Sequence, residues 1–365
     1  MKVLILGAGI IGLSLANELA RRGHKIKLVD KRKVGQGATG AGTGLLIHRD
    51  ANVYHSDYRK FYVQSIKEYY PQWIKSLKKY SSSLDIHYGG YTLFYTTDFK
   101  WNNAQEQFIR EGAVDYELLV RDNLKPYKNS WPSIPDTKAY RFPNEAWLHN
   151  GSLLEALVVE SKVLGVEIVE EFKGQINREG QGWKLDTELF DVLNISAGVW
   201  SKEILEGLGY KSALKPMKGQ VALIEKLSDS KEVLQVNDSF YMVNRPEGTL
   251  LGSTSELNDW TESFNDFGKE KLFDFLESYF GVKDYKVLKT WAGLRPRTND
   301  RQPYCGWVEK GKLSLSCGHF KNGLSMAPLN AMAMADLIEN KPLEFDFGAF
   351  DPMRSKGGLK TLISI

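Results

Sequence analysis

The segment Gly7-Ala8-Gly9-Ile10-Ile11-Gly12 sets three glycines at the spacing G-x-G-x-x-G. Glycines so placed allow a tight strand-to-helix turn and a close backbone approach to a pyrophosphate, whose charge the N-terminus of the next helix then faces. Asp30 stands 18 residues after Gly12, where a carboxylate can accept hydrogen bonds from both ribose hydroxyls of an adenosine. The same carboxylate disfavours a 2′-phosphate, so NADP is not expected. The competing readings are a structural glycine turn and a solvated loop carboxylate. Residues 35–44, Gly-Gln-Gly-Ala-Thr-Gly-Ala-Gly-Thr-Gly, add amides and the hydroxyls of Thr39 and Thr43, donors suited to a second stretch of phosphate and ribityl chain. That second stretch points to FAD rather than NAD as the cofactor, against the alternative of an ordinary surface loop.

The elements that must hold these residues can be read from periodicity. Residues 2–7 are a short apolar run, as in a strand buried on both faces of a parallel sheet. The apolar spacing predicts a helix over 10–22, with Arg21 and Arg22 in its last turn and Gly23 as a stop, then a second buried strand over 25–29. This is a βαβ unit whose right-handed crossover sets the two strands side by side. Residues 34–46 are too rich in glycine for a helix. Helical spacing returns over 54–79, and a strand-rich stretch begins at Tyr88. A helix over 153–164 and strands over 166–170 and 190–196 restore α/β character. Alternation over 220–224, 240–244 and 250–253, with a turn at Pro246-Glu247-Gly248, predicts a second, mainly antiparallel sheet. Strands over 286–291 and 312–317 and a helix over 322–338 close the chain. The fold class expected is α/β, a Rossmann-like FAD-binding domain (1–80, 147–205 and 290–365) interleaved with a substrate domain (81–146 and 206–289).

Composition narrows the function classes. The 365 residues allow a large buried core, and 48 basic against 45 acidic residues leave a net charge of +3, far from a nucleic-acid-binding surface. A small-molecule partner is expected, and an oligomer is compatible with this composition. No apolar run approaches the ~20 residues that span a bilayer, so no membrane partner is expected and the chain reads as cytoplasmic. Cys305 and Cys317 are the two cysteines, too few for a disulfide framework and without the paired spacing of a zinc site, so no metal is expected.

Taken in order, several segments resemble the D-amino-acid oxidase superfamily, and within it glycine oxidase and its thiamine-pathway relatives. They are the opening fingerprint through Asp30, Gly37-Ala-Thr-Gly-Ala-Gly-Thr-Gly-Leu-Leu46, Ser196-Ala-Gly-Val-Trp-Ser201, Pro216-Met-Lys-Gly-Gln220, Tyr241-Met-Val-Asn-Arg245, Gly252-Ser-Thr254, Trp291-Ala-Gly-Leu-Arg-Pro296 and Gly318-His-Phe-Lys-Asn-Gly-Leu324. The resemblance implies that Arg295 clamps a substrate carboxylate. A planar guanidinium suits that task, since it binds a carboxylate bidentately. It implies that Tyr241 donates a second hydrogen bond, although strand alternation could equally make Tyr241 core filler. FAD contacts are implied for Gly7, Gly9, Ile10, Ile11, Gly12, Asp30 and Lys31, for Ala38, Thr39, Thr43, Gly44 and Leu45, and for Gly174, Ala197 and Gly198. The run His319, Phe320, Lys321, Asn322, Gly323, Leu324 and Ser325 is placed along the isoalloxazine ring, with His319 either a flavin neighbour or a satisfied core histidine.

Some positions depart from the pattern. Lys321 stands where glycine oxidases usually carry arginine, and Ser239 where their strand carries histidine. Neither cysteine falls at the covalent attachment point of sarcosine oxidase, so noncovalent FAD is expected and both cysteines read as small buried hydrophobes. Lys218 fits a family pattern or is a solvated lysine; Trp200 and Trp291 read as packing residues. The implied activity is oxidation of a small amine or amino acid (glycine, sarcosine or D-amino acid type) by hydride transfer to flavin N5, the imine then hydrolysing, with oxygen or an electron carrier as acceptor. The alternatives are an FAD-dependent 2-hydroxy-acid or D-amino-acid dehydrogenase and a non-catalytic flavin-binding module, the last at odds with a buried Arg295.

Overall fold

Alternate residues of the strand Lys2–Leu6 face two different cores. Val3 and Ile5 pack among the helices Ile10–Arg21, Asn150–Val163 and Gly323–Ile338, whereas Leu4 and Leu6 pack against Trp183, Leu185 and Phe190 of a small three-stranded meander. Burial on both faces explains why this stretch carries no polar alternation. The structure, a computed structural model, describes residues 1–47, 56–110, 116–134, 138–237 and 240–362.

Six strands form the first sheet, in the order Tyr304–Glu309, Leu313–Cys317, Val192–Ile195, Lys2–Leu6, Lys25–Val29, Glu167–Val169. All pair in parallel except Tyr304–Glu309, which runs antiparallel to Leu313–Cys317. The expected βαβ unit is therefore present, its helix ending one residue early at Arg21. The run expected as one strand over 190–196 is two strands, Glu188–Phe190 and Val192–Ile195, in different sheets.

The second sheet has nine strands, built around Lys215–Ile224, which pairs antiparallel with Gly248–Gly252, Glu256–Leu257 and Val287–Arg297. Tyr241–Arg245 and Val233–Val236 continue it, and Tyr91–Tyr95 joins as a parallel neighbour. One face packs on the helix Asp266–Phe280 through Ala222, Leu234, Met242 and Leu251. The opposite face carries Val221, Tyr241, Val243 and Leu250. Each face has its own partner, which accounts for the period of two in these strands. The helix Asp266–Phe280 was not anticipated, although Leu272, Phe275, Leu276 and Phe280 mark its buried stripe. Val287–Arg297 belongs to this sheet over its whole length.

The glycine-threonine segment crosses between the two sheets. It contains one helical turn, Ala38–Ala41, where none was expected. Close packing overrides glycine's poor propensity there: the Ala41 carbonyl accepts a 3.0 Å hydrogen bond from Trp291 Nε1, and Asn150 Nδ2 donates to the carbonyls of Thr39 and Gly42 at 2.7 and 2.9 Å. Ser239 lies outside the described residues. No helix among the described residues is long and apolar enough to cross a membrane.

Candidate active site

A cavity of about 1270 Å³ opens at the carboxyl ends of the parallel strands and runs on to the glycine-rich face of the second sheet. Single-ligand pockets reach ~1,000 Å³ at most, so this one has room for a dinucleotide and a small second molecule.

Its first end is built from the opening fingerprint. Gly7 turns with φ +109°, and a methyl on Gly12 would meet the Gly7 carbonyl oxygen at 1.9 Å. Gly7, Gly9, Ile10 and Ile11 line the cavity, whereas Gly12 does not; its role is to bring helix and strand together. Gly9 caps the helix with no side-chain hydrogen bond, and Thr39 Oγ1 accepts from the Ile10 N–H at 3.0 Å. Asp30 is oriented by its own neighbours: one carboxylate oxygen accepts from Ala8 N–H at 2.7 Å, the other from Arg32 N–H at 2.8 Å. Lys31, Gly174, Ala197 and Gly198 lie on the same stretch of wall. There Trp200 joins them, with the Arg32 guanidinium 4.1 Å and Lys31 Nζ 5.2 Å from its ring. Trp200 is thus part of the cavity wall rather than simple packing.

These groups fit an FAD. The helix N-terminus and glycine turn suit a pyrophosphate, the fixed carboxylate suits a ribose, and Ala38, Thr39, Thr43, Gly44 and Leu45 line the way onward. Cys317 also lines the cavity, and burial pushes its thiol up to about 12, toward the protonated form.

The second end lies on the sheet face. Arg295 is half-buried there, with Nη2 donating to Ser253 Oγ at 2.6 Å and Nη1 to the Thr254 carbonyl at 3.1 Å. Among the described residues no carboxylate pairs with it. Burial lowers its pKa, while Tyr241 and Glu256 act in the opposite sense, and a guanidinium stays charged throughout. The Thr254 hydroxyl donates to Glu256 at 2.6 Å and accepts from Gln220 N–H at 2.9 Å, so the support of Arg295 is itself fixed. Tyr241 is 9% exposed, belongs to the apolar cluster of the sheet and also lines the cavity. The two readings of this tyrosine coexist. Glu256 and Gln220 were missed in the sequence, because no local pattern marks a residue that acts behind another.

Between the two ends stands the segment before the last helix. His319, Phe320, Lys321, Asn322, Gly323, Leu324 and Ser325 all line the cavity. His319 is buried and pushed down to about 4 by burial, against a hydrogen bond between Nε2 and Asn330 Oδ1 at 3.2 Å. It is a neutral imidazole held in the core and facing the cavity at once. Asn322 Nδ2 donates to Tyr58 at 3.0 Å, and the helix Gly323–Ile338 begins at the wall with no side-chain cap from Asn322. Lys218, by contrast, is not solvated: it is 1% exposed and donates to Asp259 at 3.0 Å and Thr261 at 2.8 Å, because its side chain points away from the cavity into the loop before the helix Asp266–Phe280.

A dinucleotide cradle on a parallel sheet, joined by one cavity to a second sheet bearing a charged anchor, defines an FAD-dependent oxidoreductase. The chain belongs to the D-amino-acid oxidase (DAO) family, described as FAD dependent oxidoreductase, whose sequence pattern matches residues 2–337. It is 27% identical over 358 residues to a glycine oxidase of Bacillus licheniformis, covering 94% of each chain, and 27% identical over 362 residues to that of Bacillus subtilis (strain 168), covering 95% of each. Among solved structures, the fold is similar to glycine oxidase from Geobacillus kaustophilus (TM-score 0.87, 22% identity, 96% of this chain and 97% of that one). It is likewise similar to iminodiacetate oxidase from Chelativorans sp. BNC1 (TM-score 0.84, 22% identity, 96% and 98%).

Proposed function

We propose that the protein oxidises a small amine or amino acid bearing a carboxylate, at the C–H bond beside the nitrogen. The observation that carries this is Arg295, a cavity-facing guanidinium oriented by Ser253 and Thr254 with no carboxylate partner among the described residues. FAD, when bound, supplies the two-electron acceptor for that C–H bond. Arg295 holds the substrate carboxylate and Tyr241 adds a hydroxyl contact, so the α-carbon is oriented by two fixed groups. A neutral amine needs no strong base, and His319, neutral above about pH 4, leaves the cavity wall uncharged at that point. The imine product hydrolyses in water, and oxygen or an electron carrier takes up the electrons. The similarity of the whole chain to glycine oxidases supports the substrate class. The buried, unpaired thiols of Cys305 and Cys317 fit a cytoplasmic setting. We assign 1–80, 147–205 and 298–362 to cofactor binding and 81–146 and 206–297 to substrate binding, keeping the strand Val287–Arg297 whole.

The test is an anaerobic screen of the flavin-loaded protein with glycine, sarcosine, D-alanine and 2-hydroxyglutarate, reading loss of the visible flavin absorbance. Bleaching by an amine supports the proposal. Bleaching by 2-hydroxyglutarate alone moves the enzyme to hydroxy-acid dehydrogenation, and bleaching by none rejects it.

A further inference from the structure

Arg295 and Tyr241 stand on strands that are not neighbours. Gly248–Gly252 and Lys215–Ile224 lie between Tyr241–Arg245 and Val287–Arg297. At ~4.8 Å per strand the two positions are ~14 Å apart across the sheet, and the register, which sets Trp291 rather than Arg295 in the row of Tyr241, adds ~13 Å along the strands, too far for the two side chains to share one carboxylate if they stood upright. They do not stand upright. The guanidinium lies over Gly219, its diagonal neighbour across the strand pair, where a methyl would sit 2.2 Å from Nη2 and 2.3 Å from Cζ. The Tyr241 ring lies over Gly252, directly opposite in register, where a methyl would sit 2.7 Å from the hydroxyl oxygen. Both side chains lean toward the same segment, since Arg295 bonds to Ser253 and Thr254, the two residues after Gly252.

We propose that Gly219 and Gly252 are positioning residues, whose missing side chains let Arg295 and Tyr241 lie flat and converge into a single two-point carboxylate clamp. The inference rests on the reading of Arg295 and Tyr241 as that clamp. It also explains why the face is bare under the cavity: side chains at these two positions would fill the space in which the clamp closes. A third glycine of the same face, Gly293, acts elsewhere, because a methyl there would lie 2.3 Å from Ala41 Cβ of the cofactor segment. Neither Gly219 nor Gly252 has a positive φ, so alanine at either brings the clash with the clamp and no left-handed φ to be strained.

The experiment is a pair of double-variant cycles on the FAD-loaded protein, with acetate as the probe and its affinity read from the perturbation of the flavin spectrum. Gly219→Ala is expected to weaken acetate about tenfold or more, as misplacement by ~1 Å does. In the Arg295→Ala background it should add nothing, and Gly252→Ala should add nothing to Tyr241→Phe. Flavin content is expected to stay at the wild-type level in all of them. Additive effects overturn the proposal for that glycine, as does unchanged acetate affinity in the single alanine variant, or loss of flavin or of folding in it. If Arg295→Ala itself leaves acetate affinity unchanged, the clamp reading of Arg295 is what has failed.

Discussion

The hydroxyl of Tyr241 and Oγ1 of Thr43 lie 2.6 Å apart, one on the second sheet and the other on the glycine-threonine segment. Thr43 is held from a second side as well, since the Arg245 guanidinium donates to its carbonyl. The proposed substrate contact and the proposed cofactor segment are thus bonded to each other. Thr43→Val keeps the shape and removes the partner. A hydrogen bond of this kind is worth about 1 kcal/mol, so KM for the carboxylate substrate should change by roughly fivefold, with flavin content preserved. Steady-state kinetics with no change in KM would show that Tyr241 does not depend on Thr43.

Arg295→Ala removes the charged anchor. Loss of a hydrogen-bonded charge contact inside the cavity costs about 3 kcal/mol, hence roughly a hundredfold in apparent affinity for carboxylate substrates. An amine lacking a carboxylate should be affected far less. Equal losses for both kinds of substrate would mean that Arg295 supports the fold of the site and does not read the carboxylate.

Asp30→Ala deletes the acceptor of the Ala8 and Arg32 amides together with the proposed ribose contact. Leaving these part-buried donors unpaired costs ~1 kcal/mol or more, so FAD should wash out of the variant during gel filtration while substrate preference in excess FAD stays the same. A variant that keeps its full flavin-to-protein ratio would remove Asp30 from the cofactor site.

His319 gives a signed pH effect. Burial holds its pKa at about 4 against the ordinary 6.5, so between those values the unfolded chain takes up a proton that the folded one does not. Stability therefore falls as pH drops from 6.5 toward 4, by about 3 kcal/mol once the window is crossed, at ~1.4 kcal/mol per unit. His319→Asn keeps a polar partner for Asn330 and removes the titration. Urea unfolding at about pH 7 and about pH 5 should show a smaller loss for the variant than for the wild type; equal losses would place the sensitivity elsewhere.

Periodicity was a good guide where one element meets one environment. The run 2–7, the turn at Gly7 to Gly12 and the alternation around Tyr241 each carry their pattern locally, and each forms the element expected. It was a poorer guide where distant chain decides the local state. The turn Ala38–Ala41 is helical because Trp291 and Asn150 hold its carbonyls. Lys218 is buried because Asp259 and Thr261 meet it.

The amino-acid order alone determined the family and the cofactor class, since a glycine turn and an acid closing the next strand are statements about neighbours along the chain; Arg295 as the charged anchor came from the resemblance of the segment Trp291-Ala-Gly-Leu-Arg-Pro296 and stands as a proposal. Only the folded molecule decided that Arg295 and Tyr241 lean together over Gly219 and Gly252, that Gly12 serves packing instead of contact, and that Glu256 stands behind the anchor. Such relations join residues on separate strands, and strand register and side-chain direction arise from packing across the sheet, which no local spacing encodes.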